Sequence, residues 1–403
     1  MIPHGSGMLV FTLLSWPLAL GWLGQAVSAL RGIAALPCVT GKDALALPLL
    51  PPSESAQVAV IVPACNEAGN IEATLRSLLA STGIRLEIIA VDDRSTDATG
   101  KRMDEIAAQS ASSNTPYSLR VIHISELPAG WLGKPHAMSV AAQQATAPWL
   151  LFTDGDVLFQ PQAIELALRQ AMASNADHLI LVPTLILKSI GEAAMLAAMQ
   201  ALSQWTIRLW KVADPSARDF LGVGGFNLVR RDVYRQVGGF EALKMEVLDD
   251  MRFGWNIKRA GFAQRVALGP GLVSIRWIKG ALAVVKLIEK NGFAIYRYRV
   301  GLQFLACFGL AVQVVLPLIA IAAGGWPMVA GLLIYISVAL DYQANRRFTR
   351  ISPWLAVFFA PATAIVLYAL MRSMALALAR NGVEWRGTCY SLDDLRHNAG
   401  RWW

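Results

Sequence analysis

Charged residues are scarce in this sequence. They make up 16% of the 403 residues, whereas hydrophobic residues make up 55%. Soluble globular proteins average roughly 25% charged and 45–50% apolar residues. This composition excludes an ordinary soluble protein, and we expect part of the chain to lie in a lipid bilayer.

Cysteine is also rare, and its four positions form no recognisable pattern. Cys38, Cys65, Cys307 and Cys389 show neither metal-ligand spacing nor a disulfide framework. A reducing compartment is therefore the favoured location.

Acidic residues are fewer than basic ones, 28 against 36. The excess of positive charge suits an anionic membrane surface and phosphorylated ligands. The basic residues are scattered rather than gathered on one predicted helix, so we expect no nucleic acid partner.

The first long apolar segment, residues 8–30, has 23 residues without a charge. It is long enough to span a bilayer, and an uncleaved anchor is favoured over a signal peptide because no Lys or Arg precedes it. Arg31 and Lys42 follow the segment. The positive-inside rule then places the next domain in the cytoplasm, and we expect a bacterial inner membrane protein.

The carboxyl-terminal part contains three more candidate spans. They cover residues 301–323, residues 326–340, which is rather short, and residues 353–379, which is interrupted by Pro361 and Arg372. A basic loop with Arg346, Arg347 and Arg350 is expected on the cytoplasmic side. A third segment that crosses fully puts the tail outside, whereas a re-entrant segment keeps it inside.

Between the anchors, strand-like and helix-like patterns alternate. Residues 58–62, 86–91 and 119–124 are apolar and rich in β-branched residues, and residues 71–79 have helical spacing. This alternation predicts an α/β fold with a mostly parallel sheet.

Two aspartates follow another predicted strand, residues 149–152. Asp154 and Asp156 then stand at the carboxyl edge of the sheet, where ligands bind in open α/β folds. Carboxylates at i and i+2 can face one Mg²⁺ or Mn²⁺ ion. A solvated turn is the alternative, whereas a calcium loop is excluded because Leu158 and Phe159 occupy its fifth and sixth places.

Polar residues also follow the first two strands. Asn66 and Glu67 come after the first, and Asp93 and Asp97 come after the second. We expect them at the same edge as Asp154. Helix capping is the competing interpretation for Asn66, Glu67 and Asp97, and it applies less to Asp93, which lies at the strand exit.

These segments together resemble a known family. Val-Pro-Ala-Cys-Asn-Glu at 62–67, Val-Asp-Asp-Arg-Ser-Thr-Asp at 91–97 and Thr-Asp-Gly-Asp at 153–156 look like the successive motifs of inverting family 2 glycosyltransferases with a GT-A fold. The resemblance covers about residues 58–293. It implies that Pro63, Asn66 and Glu67 line the nucleotide pocket and that Asp93 contacts the donor base or ribose. It also implies that Asp154 and Asp156 hold the metal on the diphosphate.

Two further segments are similar to the same family. Residues 130–136 resemble its Gly-Lys segment, which implies that Lys134 offsets diphosphate charge, whereas His136 is interpreted as a helix-start or core residue. Residues 222–227 resemble the acceptor-side wall, with Gly224 and Gly225. This stretch lacks the third Gly of a dinucleotide fingerprint at the required spacing.

The catalytic base is expected in residues 247–261. The family usually carries Glu-Asp there, and this chain has Asp249 and Asp250. The resemblance implies that Asp250 is the base, with Asp249 beside it. A helix N-cap is the alternative, and both roles are compatible, because adjacent carboxylates raise one pKa.

The acceptor is expected to be a membrane lipid. The Gln-x-x-Arg-Trp motif of processive synthases lacks its Gln here, and only Trp277 and the Arg before it are present, with Trp277 on the acceptor side. Arg297 and Arg299 either meet phosphates or snorkel to the interface. Residues 185–210 form either a surface amphipathic helix or core packing. The architecture and residues 384–390 resemble ceramide glucosyltransferases and hopanoid-associated or carotenoid glycosyltransferases.

The resulting prediction is an anchor (1–31), a linker (32–57), a GT-A domain (58–300), membrane helices (301–379) and a tail (380–403). The predicted activity is inverting transfer from a nucleotide-sugar donor to a lipid hydroxyl. The alternatives are a processive polysaccharide synthase, a non-catalytic membrane scaffold and a nucleotidyltransferase; no Gly-rich phosphate loop supports the last.

Overall fold

A computed structural model describes residues 6–53, 56–111, 118–385 and 388–400. The chain divides into two compact units. The helical unit contains the chain up to Ala35, Leu187–Trp210 and Trp277–Gly400, and the α/β unit contains Leu36–Ile186 and Lys211–Arg276. Residues 386 and 387 of the predicted tail motif lie outside the described residues. The domain boundaries proposed from sequence stay a prediction.

The elements of both units are numbered in chain order. The helices are α1 (Ser6–Ala34), α2 (Lys42–Leu45), α3 (Ile71–Leu79), α4 (Thr99–Ala111), α5 (Gly133–Gln144), α6 (Ala163–Ala173), α7 (Ile190–Ser203), α8 (Arg231–Gln236), α9 (Asp249–Arg259), α10 (Ala283–Ile295), α11 (Val300–Ala323), α12 (Gly325–Thr349), α13 (Phe359–Ala379) and α14 (Leu392–Asn398). Short 3₁₀ helices cover Leu209–Lys211, Gly239–Leu243 and Pro353–Phe358.

The strands are β1 (Val58–Ala64), β2 (Leu86–Asp93), β3 (Ser118–Ile124), β4 (Trp149–Phe152), β5 (Val157–Phe159), β6 (His178–Val182), β7 (Thr184–Leu185), β8 (Asn227–Arg230), β9 (Gln264–Leu268), β10 (Val273–Ile275), β11 (Gly382–Trp385) and β12 (Thr388–Ser391).

Within the described part of the chain, the helical unit contains four helices that are long and apolar enough to cross a membrane. They cover Met8–Ala34, Val300–Ala323, Gly325–Thr349 and Pro353–Ala379. The sequence prediction of a short span ending at residue 340 is wrong. Helix α12 continues through Arg346 and Arg347, since Ala, Gln and Arg in this stretch all favour a helix. Pro361 does not interrupt α13 because it lies in the first turn.

Helix α7 is shorter than the predicted segment and is largely buried. Its buried face contains Glu192, six consecutive residues from Ala193 to Ala198, and Ala201. Within the helical unit α7 packs against α12 and α13. This arrangement supports the interpretation of core packing for the 185–210 segment.

The α/β unit is built on a seven-stranded sheet with the order β3-β2-β1-β4-β8-β6-β9. Strands β1 to β4 are parallel, whereas β8 runs antiparallel to both β4 and β6. The predicted α/β fold with a mostly parallel sheet is confirmed. A smaller sheet has the order β5-β10-β7.

Strand β1 is buried on both faces, which explains its continuous apolar sequence. Val58, Val60 and Val62 share one core cluster with the apolar face of α3. Ala59 and Ile61 point the other way, into a cluster with α5 and α9. With helices on both faces, the open part of the sheet is the edge where β1, β2 and β4 end.

Candidate active site

The loops that follow β1 and β2 are tied together at the carboxyl edge of the sheet. Asn66, at φ 57°, accepts the N–H of Thr96 at 2.8 Å, and its own N–H donates to Ser95 at 3.0 Å. Asp97 accepts the N–H of Thr99 at 2.9 Å, so its interpretation as a cap for α4 is confirmed. The interpretation of Asn66 as a cap is wrong, because its carboxamide fixes the second loop instead.

Asp93 is the last residue of β2 and is almost fully buried. Arg94 donates two hydrogen bonds to its carboxylate, at 2.8 and 3.2 Å. Gly133, at the start of α5, lies so close that a Cβ there would stand 2.3 Å from the carboxylate of Asp93. The end of β2 and the start of α5 therefore meet, which brings Asp93 next to the segment of Lys134.

Asp154 and Asp156 lie where β4 leaves the sheet, as predicted. Gly155 between them packs against Ala64, and its carbonyl accepts a hydrogen bond from Thr74 at 3.0 Å. Burial, together with the negative charges of Asp154 and Glu67, raises the pKa of Asp156 to about 6. The pocket at this edge thus carries excess negative charge that favours a cation.

Lys134 connects the two acidic pairs of the pocket. Its Nζ lies 2.7 Å from Asp154 Oδ1 and 3.6 Å from Asp249 Oδ2. Burial acts to lower the pKa of Lys134, but the charges of Asp154, Asp249 and Asp250 outweigh it and raise the pKa above its ordinary value. Lys134 is therefore a permanent cation among three carboxylates.

Asp249 and Asp250 form the first turn of α9 rather than its N-cap, which is Leu248. Asp250 accepts hydrogen bonds from the N–H of Gly224 at 2.9 Å and from that of Met251 at 2.7 Å. Burial and the adjacent charge of Asp249 raise the pKa of Asp250 to about 6, although Lys134 acts to lower it. A carboxylate with this pKa is ionised at neutral pH and still accepts a proton readily.

Gly224 joins the two sides of the pocket through its backbone. Its carbonyl accepts the N–H of Asp154 at 3.0 Å, while its N–H donates to Asp250. A Cβ on Gly224 would stand 2.3 Å from Asp154 Oδ2, so only glycine fits there without displacement. Gly225 accepts a hydrogen bond from the hydroxyl of Thr153 at 2.9 Å.

The pocket fits a divalent cation that is completed by a ligand. The described residues contain no group of three or more His, Cys, Asp or Glu side chains that could hold a metal. Mg²⁺ and related ions commonly bind one or two carboxylates, with substrate phosphates and water supplying the other ligands. Asp154 and Asp156, with the excess charge around Asp156, match that requirement.

The remaining residues predicted from sequence are placed as follows. Pro63 is buried in β1, and the N–H of Glu67 donates to Thr99 at 2.8 Å. His136 lies in the first turn of α5 beside the ring of Trp131. Trp277 is about half exposed, at 49%, and belongs to the helical unit.

Sequence reasoning missed two partners in this site. It did not find the pairing of Arg94 with Asp93, although the two are adjacent in sequence. It assigned Lys134 to the diphosphate and did not foresee the contact with Asp249, because these two residues are far apart along the chain. Neither contact carries a signal in a single sequence.

Part of the chain is similar to a known protein family. Residues 59–238 match the family model of Glycosyl transferase family 2. A search of curated proteins found no match to the chain. Among solved structures, a mannosyltransferase from Pyrobaculum calidifontis in complex with GDP-Man and Mn²⁺ is 18% identical, with 92% of this chain and 98% of that chain covered and a TM-score of 0.45.

A second similar structure is residues 1–349 of TarS from S. aureus, in complex with UDP-GlcNAc. It is 16% identical, with 83% of this chain and 95% of that chain covered and a TM-score of 0.39. At these TM-scores neither similarity adds information on individual residues. Residues 59–238, which contain most of the mostly parallel α/β sheet, are therefore similar to glycosyl transferase family 2.

Proposed function

We propose that the protein is an inverting glycosyltransferase that moves a sugar from a nucleotide-sugar donor to a hydroxyl group of a membrane lipid. The observation that carries the proposal is the meeting of Asp154 and Asp250 on opposite sides of Gly224, with Lys134 paired to Asp154 and to Asp249, the neighbour of Asp250. One side of this pocket suits a charged leaving group and the other suits a base.

The chemistry follows from these two sides. The acceptor hydroxyl oxygen attacks the anomeric carbon as the bond from that carbon to the diphosphate oxygen breaks, and the hydroxyl proton passes to Asp250. The nucleoside diphosphate leaves as an anion. A single displacement inverts the anomeric centre. Lys134 supplies positive charge beside the leaving group, in a site where charged interactions are strong.

Mg²⁺ or Mn²⁺ is the proposed cofactor, held by Asp156 and Asp154. When bound, such an ion supplies Lewis-acid stabilisation of the diphosphate charge. The side chains that line the donor pocket in this proposal are those of Pro63, Asn66, Glu67 and Asp93.

A lipid acceptor is supported by the four apolar helices and by the missing Gln of the processive-synthase motif. An acceptor that stays in the bilayer needs no channel for a growing polymer. Gly224, Gly225 and Trp277 are the proposed acceptor-side residues. The proposed location is the bacterial inner membrane, with the catalytic domain in the cytoplasm, and the proposed relatives in function are ceramide and hopanoid-associated glycosyltransferases.

The test incubates detergent-purified protein and Mn²⁺ with each member of a panel of radiolabelled nucleotide sugars and a total bacterial lipid extract. We expect label in one lipid band, a single sugar per lipid by mass spectrometry, and an anomeric configuration opposite to that of the donor. D250N should give no labelled lipid while still binding nucleotide. A labelled polymer, or retained configuration, would contradict the proposal.

A further inference from the structure

Three buried polar side chains meet where β6, β8 and β9 begin. His178, Asn227 and Gln264 are the first residues of these strands and are 0%, 2% and 1% exposed. Gln264 Nε2 lies 2.9 Å from His178 Nδ1, and His178 Nε2 lies 3.2 Å from Asn227 Oδ1. We call these three side chains the buried amide–imidazole network. None of them was singled out by the sequence.

The direction of the hydrogen bonds in this network is determined by the backbone. Gln264 Oε1 accepts the N–H of Leu221 at 2.9 Å, so its Nε2 is the atom that faces the ring of His178. His178 Nδ1 is then an acceptor, and its Nε2–H donates to Asn227. Burial lowers the pKa of His178 to about 4, so the ring is neutral at physiological pH and keeps this direction.

The network holds two residues of the chain at both of their backbone polar groups. Gln264 binds the N–H and, at 3.0 Å, the carbonyl of Leu221. Asn227 binds the N–H of Val223 at 3.3 Å and its carbonyl at 2.8 Å. These two residues flank Gly222 and lead directly to Gly224. The 221–225 segment is therefore held through its backbone by these side chains, of which Asn227 also lines the pocket with Asp154 and Asp250.

The same segment lies directly on the helix that carries the base. A Cβ on Gly222 would stand 1.7 Å from the carbonyl oxygen of Asp250, and one on Gly254 would stand 2.0 Å from that of Leu221. Gln264 also donates to the carbonyl of Gly254 at 3.1 Å. The backbone of α9 and the 221–225 segment are thus in contact, and one carboxamide is bonded to both.

We infer that Gln264, His178 and Asn227 are positioning residues for the transfer reaction, which hold the 221–225 segment so that the N–H of Gly224 stays on the carboxylate of Asp250. The inference rests on the proposed function, since it assumes that Asp250 is the base. The network carries none of the proposed reacting groups, although Asn227 lines the pocket. Its effect on catalysis passes through Leu221 and Val223, whose backbone it fixes, to Gly224.

Near-isosteric variants separate this role from simple stabilisation. Gln264→Met removes, at nearly constant volume, the carboxamide that contacts Leu221, His178 and Gly254, and His178→Phe removes the ring nitrogens that face Gln264 and Asn227 while keeping a ring against Phe253. Glu87→Gln is the matched control. Glu87 is a buried polar residue at the start of β2, in the same sheet but away from the pocket. It accepts the N–H of Thr146 at 2.8 Å.

The experiment measures kcat, donor KM and the pH dependence of kcat/KM for each variant, with Asp250→Asn as reference, and hydrogen–deuterium exchange of the 221–225 peptide. For Gln264→Met we expect faster exchange, kcat lowered about 10- to 100-fold, since small misplacements of reacting groups cost this much, and donor KM within about twofold. The acidic limb of the pH profile should move up by about half to one unit, because a lost hydrogen bond destabilises the ionised base. For His178→Phe we expect changes in the same direction but of smaller magnitude.

Glu87→Gln should lower thermal stability without moving the acidic limb or the exchange of the segment. If Gln264→Met lowers stability but keeps the kcat and the acidic limb of the wild type, the inference is overturned. If Asp250→Asn is inactive in the same experiment, the proposed function still stands. If Asp250→Asn itself turns over normally, the proposed function fails, and the network has no base to position.

Discussion

Lys134 Nζ lies 2.7 Å from Asp154 Oδ1, so the residue expected to meet the diphosphate already neutralises a carboxylate expected to bind the metal. Two cations, Lys134 and a divalent metal ion, would then lie among the negative charges of this pocket and of the donor diphosphate. The charges of the site therefore suit a ligand that brings both a cation and additional negative charge.

Substituting Lys134 tests this balance. In Lys134→Met, the buried carboxylates of Asp154 and Asp249 lose their partner, and we expect kcat/KM to fall by about 10²–10³-fold. The acidic limb of the pH profile should move to higher pH, because Lys134 lowers the pKa of Asp250. Lys101→Met, at an exposed position on α4, is the control and should behave as wild type. Near-normal activity in Lys134→Met would rule out this electrostatic role.

Gly224→Ala tests the close approach of the 221–225 segment to the metal side of the pocket. The added Cβ would stand 2.3 Å from Asp154 Oδ2, so either the carboxylate or the segment must move. We expect loss of activity by about 100-fold, as for a misplacement of about 1 Å. Gly24→Ala, where no atom lies within 4 Å of the added Cβ, serves as control in the same transfer assay. Equal activity of the two variants would contradict the expected displacement.

The pH dependence of transfer should reflect the raised pKa of Asp250. Only the ionised carboxylate accepts a proton, so kcat/KM should fall about tenfold per pH unit below pH 6, the region in which this carboxylate becomes protonated. Asp249→Asn removes the neighbouring charge that contributes to the raised pKa, so the acidic limb should move to lower pH. An acidic limb that stays in place in this variant would show that another group controls it.

His178 should make the α/β unit less stable in acid. Its pKa is about 4 when folded and 6.5 in the unfolded chain, so between these values the unfolded state binds more protons and stability falls as pH falls. At roughly 1.4 kcal/mol per pKa unit, the full loss is about 3 kcal/mol. Asp156 and Asp250, with raised pKa values, act in the opposite sense.

The measurement that isolates His178 is the difference in melting temperature between wild type and His178→Phe from pH 7 to pH 4. The variant should be less stable at pH 7, and the difference should shrink as the pH falls. A difference that stays constant over this range would exclude the assigned contribution.

Removal of divalent cations should stop transfer. Treatment with EDTA should abolish labelled product, and Mn²⁺ or Mg²⁺ should restore it. In Asp156→Asn, restoring activity should require a metal concentration about tenfold or more above that needed by the wild type, because losing a residue of the metal site weakens metal affinity by about this much. Asp232→Asn, a change in an exposed pair with Arg230, is the control. Full activity of the EDTA-treated wild type would exclude a metal cofactor.

Much of the α/β unit could be predicted from sequence because its strands are buried on both faces. The runs around Val60 and Ile89 leave no other interpretation once helical spacing separates them. The exits of β1, β2 and β4 were located correctly, since polar residues begin where each run ends. The first residues of β8 and β9 are Asn227 and Gln264. Their polarity alone would assign them to loops.

In the helical unit, by contrast, the sequence prediction placed the end of a helix wrongly. Arg346 and Arg347 were assigned to a loop because hydropathy measures transfer into lipid, whereas α12 continues by backbone hydrogen bonding and packing. The site shows a third limit, since Asp250 accepts the backbone N–H of the distant Gly224 and Asp249 pairs with the distant Lys134. A sequence marks charged residues, but it does not say which peptide group will face them.

The path of the chain has a practical consequence. The α/β unit is interrupted between Ile186 and Lys211, where the chain contributes α7 to the helical unit. During synthesis Asp93, Asp154 and Asp156 emerge before this excursion, and Asp250 emerges after it. Trimming the termini therefore leaves α7 in the chain, and an isolated α/β unit would need a designed link from Ile186 to Lys211 in place of the intervening helix.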